Sequence, residues 1–372
     1  MKVVFIIDQV YLHGGIERVL SIKANYLSNL KEYEIFIVTT EQKFKKPCYE
    51  FNSNIIFEDI EINYHRNKSY FHPINLLKIP RHIKKISKTL NNIKPDIVVV
   101  CSHSADTYFM PFVAKHISKI KEFHYSKVIE IEKKENPTSI FKRLFFKFAD
   151  YVETKYNTLI VLNPDEATYY NSNNTLVIPN PLTFFPETTS KLENNIVISA
   201  GRIAPVKRFD VLIDIWELVQ KNNNTLQLHI YGDGEKNYVQ QLQKKIIDKN
   251  LTESIYLKGA TDNIQEKMLN AALFVMTSDN ECFPLVLLEA QACGLPIVSF
   301  DCPNGPRNII NSDNGVLIPM GKNQEFAESI TNMLENPPKL KMFGSNARTN
   351  ASKYQVDSVM KQWIAMFNTL KK

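Results

Sequence analysis

Two basic side chains that follow a short apolar run could bind a phosphate group. Arg202 and Lys207 lie five positions apart, directly after residues 195–200, whose apolar and β-branched composition predicts a strand. Ligands of open α/β sheets bind beyond the carboxyl ends of the strands. A guanidinium can hold phosphate oxygens with two N–H donors, and an ammonium adds a second point charge. Taken alone, such a pair is more often part of a solvated loop, because Lys and Arg prefer the surface.

A second pattern, two carboxylates around an apolar run, favours the phosphate site. Glu281 precedes this run and Glu289 lies within it. Pro284 near its start and Gly294 after its end predict a short helix over residues 284–293. The N-terminus of a helix offers free N–H groups and partial positive charge to an anion, so a diphosphate there would face the two cations. The alternative is a plain core helix in which Glu289 pairs with a backbone donor.

These patterns resemble those of the retaining glycosyltransferases of family GT4. The residues that carry the resemblance are residues 14–18, Gly201 and Arg202 with Lys207, residues 231–235, the pair Glu281 and Glu289, and residues 301–306 followed by 314–319. The resemblance spans nearly the whole chain, is specific in residues 195–320 and is loose between residues 41 and 95. It implies the α/β GT-B fold, in which two Rossmann-like domains face each other across a cleft. The chain is similar to members that add hexoses or N-acetylhexosamines during capsule, lipopolysaccharide or lipid-linked glycan assembly.

The resemblance implies a donor site for a nucleotide-diphosphate sugar, with uridine as the expected base. Arg202 and Lys207 would hold the diphosphate, Glu281 would contact hydroxyls of the transferred sugar, and Glu289 would contact the ribose. The other donor contacts, mainly from the backbone, would come from Gly14, Gly15, Gly201, Gly232, Pro284, Leu285 and Val286. Two positions depart from the family, since Cys282 stands where Gly is usual and Arg208 where Gly is frequent.

Three histidines of the first half are further candidates for the site. His124 matches the family histidine that hydrogen-bonds the donor sugar near its anomeric carbon, so it joins Arg202, Lys207 and Glu281 as a predicted catalytic residue. His103 and His13 are weaker candidates for contacts with the acceptor. For His13 a plain loop histidine is the commoner interpretation.

The charges at these positions indicate how the reaction would be catalysed. Breaking a glycosyl–phosphate bond leaves negative charge on the diphosphate, where Arg202, Lys207 and the helix N-terminus would lie. Losing one such stabilising group typically costs on the order of 10²–10³ in rate. No Asp-x-Asp tract occurs in the sequence, so we expect protein cations rather than a metal ion to hold the diphosphate, and no cofactor. The family implies retention of configuration, and hence an α-linkage.

The elements that must position these residues repeat one pattern in both halves of the chain. Apolar runs alternate with amphipathic helical stretches, which predicts parallel sheets with helices on both faces. Predicted strands include residues 2–7, 34–40, 97–100, 158–162, 195–200, 226–231, 254–257, 273–276 and 296–300. We expect an acceptor-side domain over residues 1–185 and a nucleotide-sugar-binding domain over residues 186–352, joined by a proline-rich link. A C-terminal helix over residues 353–372 should pack back on the first domain.

Length and composition set the broad class of protein. A chain of 372 residues exceeds what one hydrophobic core usually supports. The five cysteines are scattered and form no C-x-x-C pair, which indicates a reducing cytosol and no zinc site. No apolar run approaches the ~18–20 residues of a membrane span. We therefore expect a cytoplasmic protein, either free or peripheral at the inner face of the cytoplasmic membrane.

The net charge points to an anionic partner for the first domain. The whole excess of +6 falls within residues 1–185. Residues 79–88 form a basic amphipathic stretch and residues 141–148 a denser basic and aromatic one, and such segments can lie on anionic bilayers. The alternative for either segment is a helix packed on the sheet with a solvated cationic face. We expect no nucleic-acid partner, because the excess is small and no recognition motif is visible.

Two other functions remain open on the same fold. The chain could be a sugar-nucleotide epimerase or phosphorylase, which would convert the donor without an acceptor. It could also be a non-catalytic protein that binds a nucleotide sugar, which would show binding but no transfer to any glycan or lipid-linked acceptor.

Overall fold

The computed structural model describes residues 1–135 and 140–371, and the chain folds into two units. Unit 1 comprises Met1–Pro181 together with the residues from Val356 onward, and unit 2 comprises Leu182–Gln355. Each unit is an α/β domain built on one parallel sheet. The predicted α/β class with two parallel-sheet domains is therefore confirmed.

The elements are numbered in chain order. The strands are β1 (Lys2–Ile7), β2 (Glu34–Thr39), β3 (Ile56–Asp59), β4 (Ile97–Val100), β5 (Ser118–Glu122), β6 (Thr158–Val161), β7 (Thr175–Val177), β8 (Ile196–Ala200), β9 (Gln227–Tyr231), β10 (Ile255–Gly259), β11 (Leu273–Met276), β12 (Ile297–Phe300) and β13 (Gly315–Ile318). The α-helices are α1 (Gly15–Ser28), α2 (Pro73–Leu76), α3 (Ile79–Ile93), α4 (Val128–Glu135), α5 (Ile140–Glu153), α6 (Pro164–Ala167), α7 (Phe209–Asn222), α8 (Lys236–Asp248), α9 (Ile264–Leu269), α10 (Leu285–Ala292), α11 (Asn323–Leu334), α12 (Pro337–Ala351) and α13 (Val356–Leu370).

The sheet of unit 1 has the strand order β3-β2-β1-β4-β5-β6-β7, with every pair parallel. Strand β4 and, after Lys2, strand β1 are uninterrupted apolar runs because a central parallel strand is covered on both faces. Phe5 of β1 shares one buried cluster with Leu20 of α1 and with Trp363 and Phe367 of α13. The last helix therefore completes the core of unit 1.

The sheet of unit 2 has the strand order β10-β9-β8-β11-β12-β13, again with every pair parallel. Trp216 of α7, Phe300 of β12 and Phe326 of α11 lie in its largest buried cluster. In both sheets the chain first builds outward to one side and then returns to the other side of the first strand. This reversal occurs between β1 and β4 in unit 1 and between β8 and β11 in unit 2.

Two further observations concern the chain as a whole. Within the described residues, no helix is long and apolar enough to cross a bilayer. All five cysteines are free thiols, and four of them are buried.

Candidate functional site

In unit 2 the predicted phosphate-binding residues lie where the strand order reverses. Arg202 and Lys207 follow β8, and Glu281 follows its neighbour β11. Since the connections of these two strands leave in opposite directions, a crevice opens beyond their carboxyl ends, and this is where open α/β sheets bind ligands.

Lys207 and Glu281 form a close ion pair at this edge. The Lys207 Nζ lies 2.5 Å from the Glu281 Oε1, and the two side chains are 21% and 12% exposed. The Thr277 hydroxyl donates to the Lys207 carbonyl at 3.2 Å, which fastens the end of β11 to the loop after β8. The structure thus brings together two residues that lie 74 positions apart.

Arg202 is an exposed cation in the same loop. Among the residues that the structure describes, none forms a hydrogen bond or ion pair with its guanidinium. The loop passes close to the Lys207 side chain, because a Cβ added at Gly201 would lie 3.5 Å from the Lys207 Cε. Arg202 therefore offers all five of its N–H donors to an anion.

Helix α10 presents its N-terminus at the same edge of the sheet. It begins at Leu285, one residue later than predicted, with Pro284 as an extended N-cap. The Leu287 N–H donates to the Pro284 carbonyl at 3.0 Å, whereas the preceding amides of Leu285 and Val286 have no acceptor among the described residues. Both of these residues are partly exposed. Two free N–H groups and the positive end of the helix dipole therefore face outward.

Glu289 is a buried carboxylate in α10 that already has a partner. The Thr183 hydroxyl donates to its Oε1 at 2.6 Å. One partner of this carboxylate is thus the side chain of Thr183. Sequence patterns missed Thr183, because a single threonine in an irregular link carries no signal.

A turn after β12 holds Glu281 in place, and residue types could have revealed it. Asn304 has a left-handed backbone and forms a β-bridge with Glu281. A Cβ at Gly305 would lie 2.7 Å from the Glu281 Cβ and 2.8 Å from the Pro284 Cδ, so only glycine fits there. Residues 303–306 are of turn-forming types, so the sequence could have predicted this turn.

The loops after β8 and β9 pack against each other through glycines. Gly232 has a φ of 146°, and a Cβ there would lie 1.9 Å from the Gly201 carbonyl oxygen. The Gly201 N–H in turn donates to the Tyr231 carbonyl at 3.0 Å. The two glycines are thus required for this close approach of the backbone, next to the Lys207 side chain.

Arg208 is one of the two departures from the family pattern, and its contacts show how an arginine is held at this position. Its φ of 50° is left-handed, which is the conformation that favours glycine. Its guanidinium pairs with Asp279 at 2.9 Å and with Asp210 at 3.2 Å. The other departure, Cys282, is buried. Arg208 is therefore held by two carboxylates, in contrast to Arg202.

In unit 1 the glycine turn lies after β1, at the other reversal of strand order. Helix α1 begins at Gly15, directly after this turn. A Cβ at Gly14 would lie 2.2 Å from the Glu17 Oε2, which is the end of a flexible side chain that can move aside. At Gly15 a Cβ would meet no described atom within 4 Å. This position leaves open space beside the backbone.

The predicted histidines fall into one pair and one separate residue. The rings of His103 and His124 lie 6.2 Å apart, after β4 and β5 respectively. Both ring nitrogens of His103 are shielded from solvent and have no hydrogen-bond partner among the described residues, and burial keeps its pKa well below the usual value. His13 is exposed and contacts the Tyr49 ring at 5.4 Å.

Sequence patterns missed an acidic group at the same edge of unit 1. Asp8 directly follows β1, and the Tyr70 hydroxyl donates to its Oδ2 at 2.9 Å. Burial, reinforced by the charge of Asp106, raises the pKa of Asp8 to about 7. Asp106 itself accepts hydrogen bonds from the hydroxyls of Ser102 and Ser104, at 2.6 and 2.7 Å. The signal for Asp8 was available, because it is a charged residue directly after a buried strand.

One further acidic group has the spacing of a metal site. Within the described ranges, Glu130, Asp150 and Glu153 are close enough to share a cation. Lys134 lies 2.6 Å from Asp150, and Lys127 lies 2.5 Å from Glu153. Because two ammonium groups already pair with these carboxylates, the arrangement is that of an ion-pair network.

Comparison with known proteins identifies a family domain in unit 2. Residues 182–350 match the family described as glycosyl transferases group 1. The chain is 32% identical over 250 residues to the poly(ribitol-phosphate) alpha-N-acetylglucosaminyltransferase of Staphylococcus aureus, a match that covers 65% of this chain and 50% of that protein. The chain therefore spans about half the length of that relative. It is also 25% identical over 378 residues to the amylovoran biosynthesis glycosyltransferase AmsD of Erwinia amylovora, with 99% of both chains covered.

A solved structure agrees in fold over the same length. HepE of Anabaena, crystallised in complex with UDP, superposes with a TM-score of 0.78 at 19% identity, covering 99% of this chain and 100% of that one. The family match therefore applies to unit 2, and the likeness in structure applies to the fold of the whole chain. Residues 182–350 form a glycosyl transferases group 1 domain, and the chain has the GT-B fold.

Proposed function

We propose that the protein transfers a hexose or an N-acetylhexosamine from a UDP-sugar to a hydroxyl group of a glycan or lipid-linked saccharide. In this proposal the α-configuration of the donor is retained and no metal ion takes part. The observation that carries it is the arrangement at the β8–β11 reversal in unit 2. There the Lys207–Glu281 pair lies beside a loop with the unpaired cation Arg202 and an open helix N-terminus.

Each of these groups has a role in cleavage of the glycosyl–phosphate bond. Arg202 and Lys207 stabilise the negative charge that develops on the leaving diphosphate. The N–H groups of Leu285 and Val286 bind the phosphate oxygens at the positive end of α10. Glu281, held in place by Lys207, accepts hydrogen bonds from hydroxyls of the transferred sugar, and the backbone of Gly201 and Gly232 approaches the nucleotide.

The other predicted contacts complete this proposal. Glu289 binds the ribose hydroxyls, with Thr183 fixing the orientation of its carboxylate. In unit 1, His124 hydrogen-bonds the donor sugar, Gly14 and Gly15 carry the turn near the phosphates, and His103 contributes to acceptor binding. His13 is a weaker acceptor contact, because its ring packs on Tyr49.

The activities named for the relatives support the substrate classes. The Staphylococcus aureus relative is named as an α-N-acetylglucosaminyltransferase, and the Erwinia amylovora relative as a glycosyltransferase of amylovoran biosynthesis. The HepE structure contains UDP. These names support a UDP-sugar as the donor and a polysaccharide or its precursor as the acceptor.

The decisive experiment replaces the unpaired cation. We expect Arg202→Ala to lower kcat/KM for transfer from a UDP-sugar by on the order of 10²–10³, with the melting temperature unchanged because Arg202 supports no other side chain. Lys244→Ala is the matched control, since Lys244 is an exposed cation on α8 of the same unit. Equal turnover by the Arg202→Ala variant and the native protein would refute the proposed diphosphate site.

The same assay separates the other parts of the proposal. Transfer that persists in EDTA supports metal independence, and an α-anomeric product signal in NMR supports retention. Complete conversion of the donor without any acceptor would instead indicate an epimerase or a phosphorylase. Donor binding without transfer to any acceptor would indicate a non-catalytic binding protein.

We also propose that unit 1 docks on an anionic membrane surface. On α5, Phe141 is 79% and Leu144 58% exposed, and the cationic side chains of Arg143 and Lys147 are exposed beside them. Apolar side chains that interleave with cations in this way are typical of helices that lie in the membrane interface.

A second exposed apolar segment adjoins this helix. Leu77, which follows α2, is 81% exposed, and the basic helix α3 begins two residues later. The ring of Phe71, just before α2, packs on Phe145 of α5 with centroids 4.7 Å apart. The segment that leads into the basic helix α3 thus packs on α5, which supports a shared membrane-binding face.

A further inference from the structure

A buried charged network in unit 1 leads to His124. Lys23 of α1 places its Nζ 2.5 Å from both carboxylate oxygens of Glu122, and both side chains are 1% exposed. The Glu122 Oε1 lies 3.4 Å from the Nε2 of His124. On the far side, the ring of Trp363 in α13 lies 4.2 Å from the Lys23 Nζ. We call these four residues the Glu122 network.

Stability alone does not account for such an ion pair. Taking two charges out of water costs several kcal/mol per ion, and well-packed apolar residues of similar volume often stabilise a fold as well or better. Although burial by itself would raise the pKa of Glu122, the charge of Lys23 and the contact with His124 hold that pKa well below its usual value. Glu122 is thus a permanent carboxylate in the interior, and its position next to His124 is open to a functional explanation.

The network determines which ring nitrogen of His124 carries the proton. An ionised carboxylate can only accept hydrogen bonds, so the neutral imidazole must present Nε2–H to Glu122. The Nδ1 then carries a lone pair, and it has no hydrogen bond to any residue in the described part of the chain. This atom is available to accept a hydrogen bond from a substrate hydroxyl.

Few other charges face the imidazole. The neighbouring titratable groups come from α1, from the end of β4 and from β5, and they are Lys23, Cys101, His103, Lys121 and Glu122. Burial raises the pKa of Cys101 and lowers that of His103, so both are neutral. Burial also lowers the pKa of Lys121 to about 8, and its ammonium donates to the carbonyls of Val100 and Ser102. Lys23 is therefore the group that directly compensates the charge of Glu122.

We propose that Glu122 is a positioning residue for His124 and that Lys23 tunes it. Glu122 fixes the Nε2–H tautomer and the orientation of the ring, and Lys23 cancels the carboxylate charge that would otherwise favour the imidazolium form. Trp363 covers the ammonium, so the C-terminal helix closes the network from solvent. The catalytic consequence rests on the proposed function, in which His124 hydrogen-bonds a sugar substrate.

The first test needs no substrate. In protein labelled with ¹⁵N in its histidine rings, we expect the His124 nitrogen shifts of the native chain to show the Nε2–H tautomer. In Lys23→Met the uncompensated carboxylate should favour a doubly protonated ring, so the Nδ1 signal should move toward that of a protonated nitrogen at a fixed pH. A native Nδ1–H tautomer, or an unchanged Nδ1 signal in Lys23→Met, would overturn the proposal.

Two further variants allow the proposal to be tested if Lys23→Met folds poorly. Lys23→Met combined with Glu122→Leu replaces the pair by apolar groups of similar volume, so it should fold while losing the tautomer preference. Lys127→Met is the matched control, because it breaks another buried Lys–Glu pair of unit 1, formed with Glu153 at 2.5 Å. The control should lower stability and leave the His124 signals unchanged. A tautomer preference that persists in the apolar double variant would also contradict the proposal.

The second test asks whether the Glu122 network contributes to turnover. We expect the apolar double variant to lower kcat/KM on the order of 10–100-fold, the usual effect of losing a group that orients a ligand-binding histidine. In a His124→Ala background the same pair of substitutions should have no further effect. An equal loss in both backgrounds would show a merely structural role. If the native chain transfers no sugar, the proposed function fails. The tautomer measurement then still tests whether Glu122 positions His124.

Discussion

At the scale of single residues, the Asp8 carboxyl makes folding stability depend on pH. Burial and the charge of Asp106 raise its folded pKa to about 7, whereas the carboxyl of an unfolded aspartate has its ordinary pKa of 3.8. Between these values the folded state binds a proton that the unfolded state does not, so raising the pH through this window lowers the free energy of unfolding. We expect Asp8→Asn to raise the free energy of unfolding at pH 8 by a few kcal/mol, on the order expected for a shift of this size, and to have little effect near pH 4.

Urea unfolding at several pH values between 4 and 8 measures this effect. The amide remains neutral and can still accept the hydrogen bond from Tyr70, so the variant keeps the local contacts. Glu32→Gln is the control, because Glu32 is an exposed carboxylate of the same unit. A gain from Asp8→Asn that is the same at pH 4 and pH 8 would show that ionisation of Asp8 is not the cause.

The residues of the candidate site differ in how readily they can be identified from the sequence. Arg202, Lys207 and Glu281 are charged residues that follow strands, so topology brings them to one edge and the pattern is visible. Lys23 and Glu122 lie 99 positions apart, inside a helix and a strand. No local pattern marks such a pair, because its partners are chosen by packing between distant elements.

At the scale of elements, the contact between two loop backbones defines the edge of the unit 2 sheet. Gly232→Ala would place a Cβ 1.9 Å from the Gly201 carbonyl oxygen, so the loops after β8 and β9 must separate. We expect a loss of about 1–3 kcal/mol in stability, typical of strained backbone, and a UDP affinity at least tenfold weaker. Calorimetric titration and thermal melting measure the two effects.

The matched control for this element is another glycine with a left-handed backbone. Gly259 ends β10 with a φ of 74°, and a Cβ there meets no described atom within 4 Å. Gly259→Ala should therefore cost stability through its backbone conformation while UDP binding stays unchanged. If both variants weaken UDP binding equally, the contact between the two loops is not what supports the site.

The strand β5 shows where reasoning about elements failed. The bounds of β1, β4 and β11 match the prediction, because their apolar runs are typical of central parallel strands. Strand β5 contains Lys119, Lys121 and Glu122, and its polar sequence gave no strand signal, yet every one of its residues is buried. The lysines are tolerated because their ammonium groups donate to nearby carbonyls, which only the folded structure can reveal.

At the scale of the whole molecule, the alternation of strands and helices was enough to predict two parallel-sheet domains. The amphipathic tail likewise predicted a C-terminal helix over the residues that form α13. The sequence could not show that Trp363 of this helix lies over the buried Lys23, because that contact depends on how α1 and α13 pack. Hydrophobic patterning thus predicts architecture, while the contacts between buried polar groups require coordinates.

The uneven charge of the molecule gives the last prediction, a salt-dependent association of unit 1 with anionic bilayers. Replacing both Phe141 and Leu144 by Ser should weaken binding to vesicles with 30% anionic lipid by tenfold or more, because each apolar side chain contributes about 1.5–3 kcal/mol when buried. Binding of the native chain should also weaken as NaCl rises, since each cation near the surface contributes about 1 kcal/mol that salt screens. Ile247→Ser is the matched control, because Ile247 is 54% exposed on α8 of unit 2. Equal binding to neutral and anionic vesicles, or an undiminished affinity in the double variant, would assign these exposed side chains another role.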